Sequence, residues 1–180
     1  RGYIPQSASG PTASVDITVK NAEENQFLRI PRGHRFKSKI DNTTYTFITT
    51  EEYVTDTGLF EGVEITQAQL KTAEYIFDRV SSERYVIPDE DVDLSTVQVL
   101  VYDSRNSTSY TSFVPAKSLT GITSDSSIYF LHENYDGLYE ITFGDGSVGN
   151  SPSNGNIIKI EYGVTQKTEA NGAKSFSLVD

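Results

Sequence analysis

The chain has 180 residues, enough for one ordinary domain or two small ones with real cores. Hydrophobic residues make up 36% and charged residues 22%, with 11 Tyr and 9 Phe as core material, so the composition is polar but globular and unlike that of a disordered chain. A formal net charge of -10, from 15 Lys and Arg against 25 Asp and Glu, excludes a phosphate-backbone binder, and the absence of cysteine excludes disulfides and thiolate metal sites.

No apolar run reaches the roughly 20 residues of a bilayer-spanning helix, and no membrane partner is expected. The chain has no methionine and begins Arg1-Gly2-Tyr3, which reads as an internal part of a longer protein. Residues 1–12, with Pro5, Gly10 and Pro11, read as a linker or arm. A first β lobe is expected over 13–91. Its opening strand alternates Val15, Ile17 and Val19 with Ser14, Asp16, Thr18 and Lys20, the period of a half-buried strand. Phe27 to Ile30 follows, then a turn at Pro31-Arg32-Gly33, a strand from Arg35 to Ile40, a turn at Asp41-Asn42, and a strand from Thr44 to Ile48. Strands are also expected at 59–66 and 72–80, although the Ala, Gln, Leu and Lys between Thr66 and Phe77 permit a helix. Glu83 to Ile87 stops at Pro88, and the acidic run Asp89, Glu90, Asp91 and Asp93 reads as an exposed connection.

A second lobe is expected over 92–165. Thr96 to Tyr102 is nearly continuously apolar, as a central strand is. Strands from Tyr110 to Val114 and from Ser127 to His132 follow, and the turn signal Asn134-Tyr135-Asp136-Gly137 leads into Tyr139. Tyr139, Ile141 and Phe143 then share one face, as do Ile158, Ile160 and Tyr162 after a glycine-rich elbow punctuated by Gly144, Gly146, Gly149 and Gly155. Residues 166–180 read as a polar connection to the next part of a longer chain. The fold expected is mainly β: two small antiparallel lobes, sandwich- or barrel-like, in tandem, with at most short helices. No fixed-period repeat is present.

Little in the chain points to chemistry. His34 and His132 are the only histidines and fall in different expected lobes, which leaves no three-histidine metal site. The acidic run lacks the glycine and distant Glu of a calcium loop. Asp145 beside glycine is the residue type that caps the amides of its own turn. Gly144-Asp145-Gly146-Ser147-Val148-Gly149 has the spacing of a dinucleotide fingerprint, but no helix follows to aim its N-terminus at a pyrophosphate. No G-x-S-x-G elbow is present and no pair of carboxylates stands out. No catalytic residue, metal or cofactor is therefore expected. A sugar-binding or adhesive β module, with Tyr102, Tyr110 and Tyr129 as stacking platforms, is the alternative reading.

Two motifs in order carry a resemblance. The first is Val15-Asp16-Ile17-Thr18-Val19, then Ile30-Pro31-Arg32-Gly33-His34-Arg35-Phe36, then Phe47-Ile48-Thr49-Thr50-Glu51. The second is Phe143, Gly144, Asp145, Gly146, Gly149, Pro152 and Gly155, followed by an alternating strand ending at Tyr162. Together these resemble the baseplate-J-like family of contractile phage tails, and the long Thr- and Tyr-rich insertions look most like its branch in the baseplate wedges of T-even-type phages. The chain departs from commoner members in having Ser151-Pro152 where a Pro-Pro pair is usual, and in lacking Trp. The resemblance implies a structural part of a virion, not an enzyme. Its implied partners are other copies of itself and neighbouring wedge and hub proteins. The site residues it implies are structural turns: Ile30, Pro31, Gly33 and Phe36 in the first lobe, and Phe143, Gly144, Asp145, Gly146, Gly149, Pro152, Gly155 and Tyr162 in the second.

Overall fold

The computed structural model of the chain describes residues 7–20, 26–80, 84–116 and 122–179. The first six residues of the expected arm, and Glu83 before the strand that stops at Pro88, lie outside them. The described chain is mainly β, in curled sheets that form a half-barrel and a nearly closed barrel. It divides into two compact units. One comprises Ala8–Leu70, Asp93–Ser95 and Gly163–Asp180; the other, among the described residues, comprises Ser7, Lys71–Val92 and Thr96–Tyr162. Among the described residues the units thus change over at 7/8, 70/71, 92/93, 95/96 and 162/163, whereas the sequence suggested one passage at 91/92.

The half-barrel unit is built from β1 (Thr12–Thr18), β3 (Arg35–Ile40), β4 (Thr43–Thr49), β6 (Leu59–Gln67) and β14 (Ser177–Leu178), ordered β1-β6-β4-β3-β14. A separate ribbon pairs β2 (Leu28–Ile30) with β5 (Tyr53–Thr55). Period-two patterning decides which side chains go in. On β3, Phe36 and Ser38 are buried while Arg35, Lys37 and Lys39 are exposed. The hairpin from β3 to β4 turns at Asp41, whose φ of 51° is one that Asp tolerates. β1 and β6 slip register between Val15 and Ile17, with Gly62 at φ 64° and its amide donating to Asp16 Oδ1 at 2.8 Å. That is a bulge, which bends the sheet. Phe36, Phe47, Phe60, Val63 and Ile65 form the centre of the core.

The tail differs from its reading as an outgoing connection. After a 3-10 turn at Lys167–Ala170, β14 adds to the edge of the sheet, pairing Ser177 with Lys37 and Leu178 with Phe36. Phe176 meets Phe47 edge-on at 5.0 Å. An apolar side chain just before two strand residues pulls an otherwise polar segment back onto the core. Between β1 and β14, the two open edges, runs a cleft lined by Val15, Ile17, Phe36, Phe176 and Leu178.

The barrel unit contains β7 (Gln69–Ile76), β8 (Tyr85–Ile87), β9 (Val92–Tyr102), β10 (Tyr110–Pro115), β11 (Ile128–Glu133), β12 (Tyr139–Phe143) and β13 (Ile157–Val164). Their order is β7-β13-β9-β10-β11-β12-β8. The ends of β7, β9 and β13 (Gln69, Leu70, Asp93–Ser95, Gly163 and Val164) belong to the other unit. Between Thr66 and Phe77, where a helix was possible, the chain runs as the end of β6 and the whole of β7: tertiary pairing overrides its helix-forming composition. Val99, Leu100 and Val101 are all buried, as the apolar run on this interior strand requires. One pair breaks the antiparallel rule. β10 and β11 run parallel, pairing Val114 with Ile128, and residues 116–127 between them have the dozen-residue length that a crossover needs. Ile141, Ile158, Ile160 and Tyr162 are at most 2% exposed and hold the core.

The acidic run is not wholly an exposed connection. Asp93 is 2% exposed in the half-barrel unit; its Oδ2 accepts the Gly10 amide at 3.0 Å and its Oδ1 the Ser95 amide and hydroxyl at 3.0 and 2.6 Å. A carboxylate can be buried there because hydrogen-bond donors surround it. Asp89, in the barrel unit, takes Lys71 Nζ and the Tyr162 hydroxyl, each at 2.7 Å.

Candidate functional site

The glycine-rich elbow joins β12 to β13, which are separated in the sheet by β11, β10 and β9. It is a crossover, not a hairpin, so its shape is set by contacts along its length. Phe143, at its start, meets Phe77, Tyr85 and Phe113 edge-on at 5.2 to 6.1 Å. Gly144 is buried, and a Cβ there would lie 2.3 Å from Val148 O and 2.4 Å from Gly149 O, so only glycine fits. Asp145 Oδ1 accepts the amides of Ser147 at 2.8 Å and Val148 at 3.1 Å. Those bonds from Val148 and Ser147, with Arg79 nearby, hold its carboxyl below the usual carboxylate range. Gly146, Gly149 and Gly155 sit at φ 88°, 79° and 89°.

The crossover is tied down on both sides. Gly149 N donates to Thr123 O at 3.0 Å and Asn150 N to Ser126 O at 2.8 Å. Beyond the buried Pro152, Gly155 N donates to Phe77 O at 2.9 Å and Phe77 N to Asn156 O at 2.8 Å. Arg79 closes the loop, its amide on Asn154 Oδ1 at 2.9 Å and its guanidinium on Ser151 Oγ at 2.8 Å. Phe77, Tyr85, Phe143 and Gly144 wall an open cavity of about 270 Å³ beside it. Its polar groups are turned to local backbone and neighbours: Arg79 to Ser151, Asp145 to two amides, Asp78 to the amide of Val80. At the far end of β13, Tyr162 is 2% exposed; burial, and then the bond to Asp89, push its hydroxyl well above the ordinary phenol value.

The other turn, Ile30-Pro31-Arg32-Gly33, lies in the half-barrel unit and is locked to β4. Ile30 and Phe36 are buried at 7% and 2%, and Gly33 has φ 78° with a position for Cβ 3.1 Å from Leu70 Cδ2. The Thr49 hydroxyl donates to Pro31 O at 2.7 Å and accepts the His34 amide at 3.0 Å. Gly33 N donates to Thr49 O at 2.8 Å and Thr49 N to His34 O at 3.1 Å. The two halves of the first motif are therefore one device: the first Thr of Thr49-Thr50-Glu51, fully buried, holds the Pro31 turn.

Reading the sequence missed a buried polar cluster in the same unit. Gln67 Oε1 accepts the Thr165 hydroxyl at 2.9 Å and the Gln166 amide at 2.8 Å, and Gln67 N donates to Pro11 O at 2.8 Å. Gly10, placed in an arm by its neighbours, is buried against Gln67 O. The clue available was weak: a Gly beside Pro11 in an otherwise polar stretch.

The two histidines make local contacts. His34 meets Phe36 edge-on at 5.5 Å, and a ring nitrogen of His132 bonds the Thr142 hydroxyl at 3.0 Å. No group of three or more His, Asp and Glu side chains is placed to hold a metal among the described residues. The three tyrosines considered for sugar stacking do not share a platform: Tyr129 is 3% exposed, while Tyr102 lies against Tyr110 at 5.3 Å under Lys159.

Comparison with known proteins falls on these same segments. A family described as the third domain of bacteriophage baseplate wedge protein gp6 matches residues 69–171, and one described as domain II of baseplate wedge protein gp6 matches residues 10–58. The chain is 28% identical to the baseplate wedge protein gp6 of Enterobacteria phage T4 over 201 aligned residues, covering 99% of this chain and 29% of that protein. It thus spans under a third of the curated relative's length.

Proposed function

From the premise that this chain belongs to the family of bacteriophage baseplate wedge protein gp6, we propose that it works as an architectural segment of a wedge subunit in the tail baseplate of a virion. The observation that carries this reading is the match of the third-domain family across 69–171, a span that contains the whole glycine crossover. The geometry supports it. Crossover and Pro31 turn are held largely by backbone amides and carbonyls, with short side chains, the Arg79 guanidinium and the Phe143 ring adding to them. Ile30, Pro31, Gly33 and Phe36 set one such turn; Phe143, Gly144, Asp145, Gly146, Gly149, Pro152, Gly155 and Tyr162 set the other.

In this reading the partners are other copies of the chain's parent and neighbouring wedge and hub proteins, met during assembly in the host cytoplasm. Nucleic acid, membrane, cofactor and catalysis have no part. The test is to mix the full-length parent with the other baseplate proteins of its phage and measure particle mass. Entry into a larger particle of defined mass is expected; a parent that stays outside every such particle refutes the proposal.

A further inference from the structure

The barrel unit is closed by side chains where its sheet ends. β7 and β8 are the first and last strands of the order and are not ladder neighbours. A row of side-chain contacts joins them instead. At one end Lys71, on β7, reaches Asp89 just after β8, and Tyr162 braces the same carboxylate. In the middle the Tyr75 hydroxyl donates to the Val86 carbonyl at 2.6 Å, and its ring meets Tyr85 edge-on at 5.6 Å. At the other end Phe77 stacks on Tyr85 at 5.9 Å, and the Asp78 amide donates to the Tyr85 hydroxyl at 3.3 Å. β8 is only three residues long and is laddered on its other side to β12 alone.

A ladder of backbone bonds resists opening as a unit, whereas separate side-chain bonds leave local opening cheaper than global unfolding. We infer that the β7/β8 seam is a latch: the barrel opens along it in a movement distinct from unfolding, and Tyr75, Tyr85 and Asp89 set how often it does. Closed, the latch keeps two strand edges from pairing with other chains. Open, it gives the unit a second shape without dismantling the interior strands. This holds for the barrel unit whatever the parent assembles with.

The chain has no cysteine, so one introduced thiol reports opening at its own position. Ile87→Cys puts it on β8 and Val99→Cys on β9, both at positions 0% exposed. In native buffer the thiol at 87 is expected to react with a disulfide reagent at least about tenfold faster than that at 99, with little dependence on urea. Tyr75→Phe is expected to raise the rate at 87 about fivefold, the equivalent of one hydrogen bond. Ile128→Val, on interior strand β11, is expected to raise the rate at 99 and leave that at 87 unchanged. Equal rates at the two positions, both raised by Ile128→Val, would mean that only global unfolding exposes the seam and would overturn the inference. Should Ile87→Cys fail to fold, hydrogen exchange of the Asp78 amide, whose acceptor lies across the seam, carries the same comparison.

Discussion

Gly144 and Gly146 stand two positions apart, yet the same change to alanine is expected to fail at each for a different reason and by a different amount. At Gly144 the new Cβ would meet Val148 O at 2.3 Å, Gly149 O at 2.4 Å and Gly149 C at 2.5 Å, where ordinary contact begins near 3.4 Å. All three atoms are backbone, so no side chain can swing aside; the crossover itself must shift by about an ångström. Such a shift strains the bonds from Gly146 N to Gly149 O and from Gly149 N to Thr123 O. Overpacking of this kind costs about 1–3 kcal/mol and each weakened bond about 1 more, which puts Gly144→Ala at about 3–5 kcal/mol. At Gly146 nothing lies within 4 Å, and only the φ of 88° opposes a side chain. That penalty is about 1–2 kcal/mol, and smaller for Gly146→Asn. Urea unfolding of the barrel unit, followed by tyrosine fluorescence, separates the two. With a slope of about 2 kcal/mol per molar, Gly144→Ala lowers the midpoint by more than about 1.5 M and Gly146→Ala by about 0.5–1 M. Equal midpoints for the two variants would refute the close-approach account of Gly144.

Thr49→Val keeps shape but removes the hydroxyl that holds Pro31 O and His34 N, and is expected to cost the half-barrel unit about 1–2 kcal/mol in denaturant midpoint; no loss would show that the motif threonine does not brace the turn. Gly10→Ala, with a Cβ 2.1 Å from Gln67 O and 2.9 Å from Thr165 Oγ1, is expected to lower the melting temperature by several degrees, and an unchanged melt would release Gly10 back to the arm. For Asp89, burial raises the carboxyl, but the bonds from Lys71 and Tyr162 and the charge of Lys71 outweigh it and hold it below its usual value. A folded value below the unfolded one means a contribution complete above about pH 4 and lost as pH falls through the folded value. The melting-temperature gap between the native chain and Asp89→Asn is therefore expected to be constant from about pH 5 to 7 and to close in acid, modest throughout because the Lys71 side chain is 41% exposed. A gap that survives to about pH 2 would refute it.

Strands with one buried face were legible from their alternation. Period two alone finds Tyr139 to Phe143 and Ile157 to Tyr162, and the aromatic and β-branched content of Thr44 to Ile48 does the same for β4. Turns were legible where glycine or Asp-Asn marks them, as at Gly33 and Asp41, and the absence of a helix after Gly149 was readable too. What escaped depends on distant partners. Asp93 reads as solvated among Asp89, Glu90 and Asp91, and the amide of Gly10, 83 residues earlier, is a donor to its buried carboxylate that local sequence does not reveal. Lys167 to Leu178 looks like an outgoing linker until Phe176 finds Phe47. The crossover was mistaken for a simple elbow because local spacing says nothing about how many strands lie between its ends. Thr49 belongs to a recognisable motif, but its bond to Pro31 O exists only once Pro31 and β4 are brought together.

The three-piece make-up of the half-barrel unit also dictates an order of events during synthesis. The buried Gln67 side chain waits for Thr165, 98 residues later, before its carbonyl oxygen is satisfied. At about 5–20 residues per second this is a wait on the order of 5–20 s, most of it taken up by synthesis of the barrel unit, whose segments are complete by Tyr162. The unit whose strands leave the ribosome first is thus the last to be finished. Until the tail arrives to cover Phe47, the apolar faces of β3 and β4 need shelter, so a pause or truncation before Gly163 yields a chain with its later half formed and its earlier half sticky.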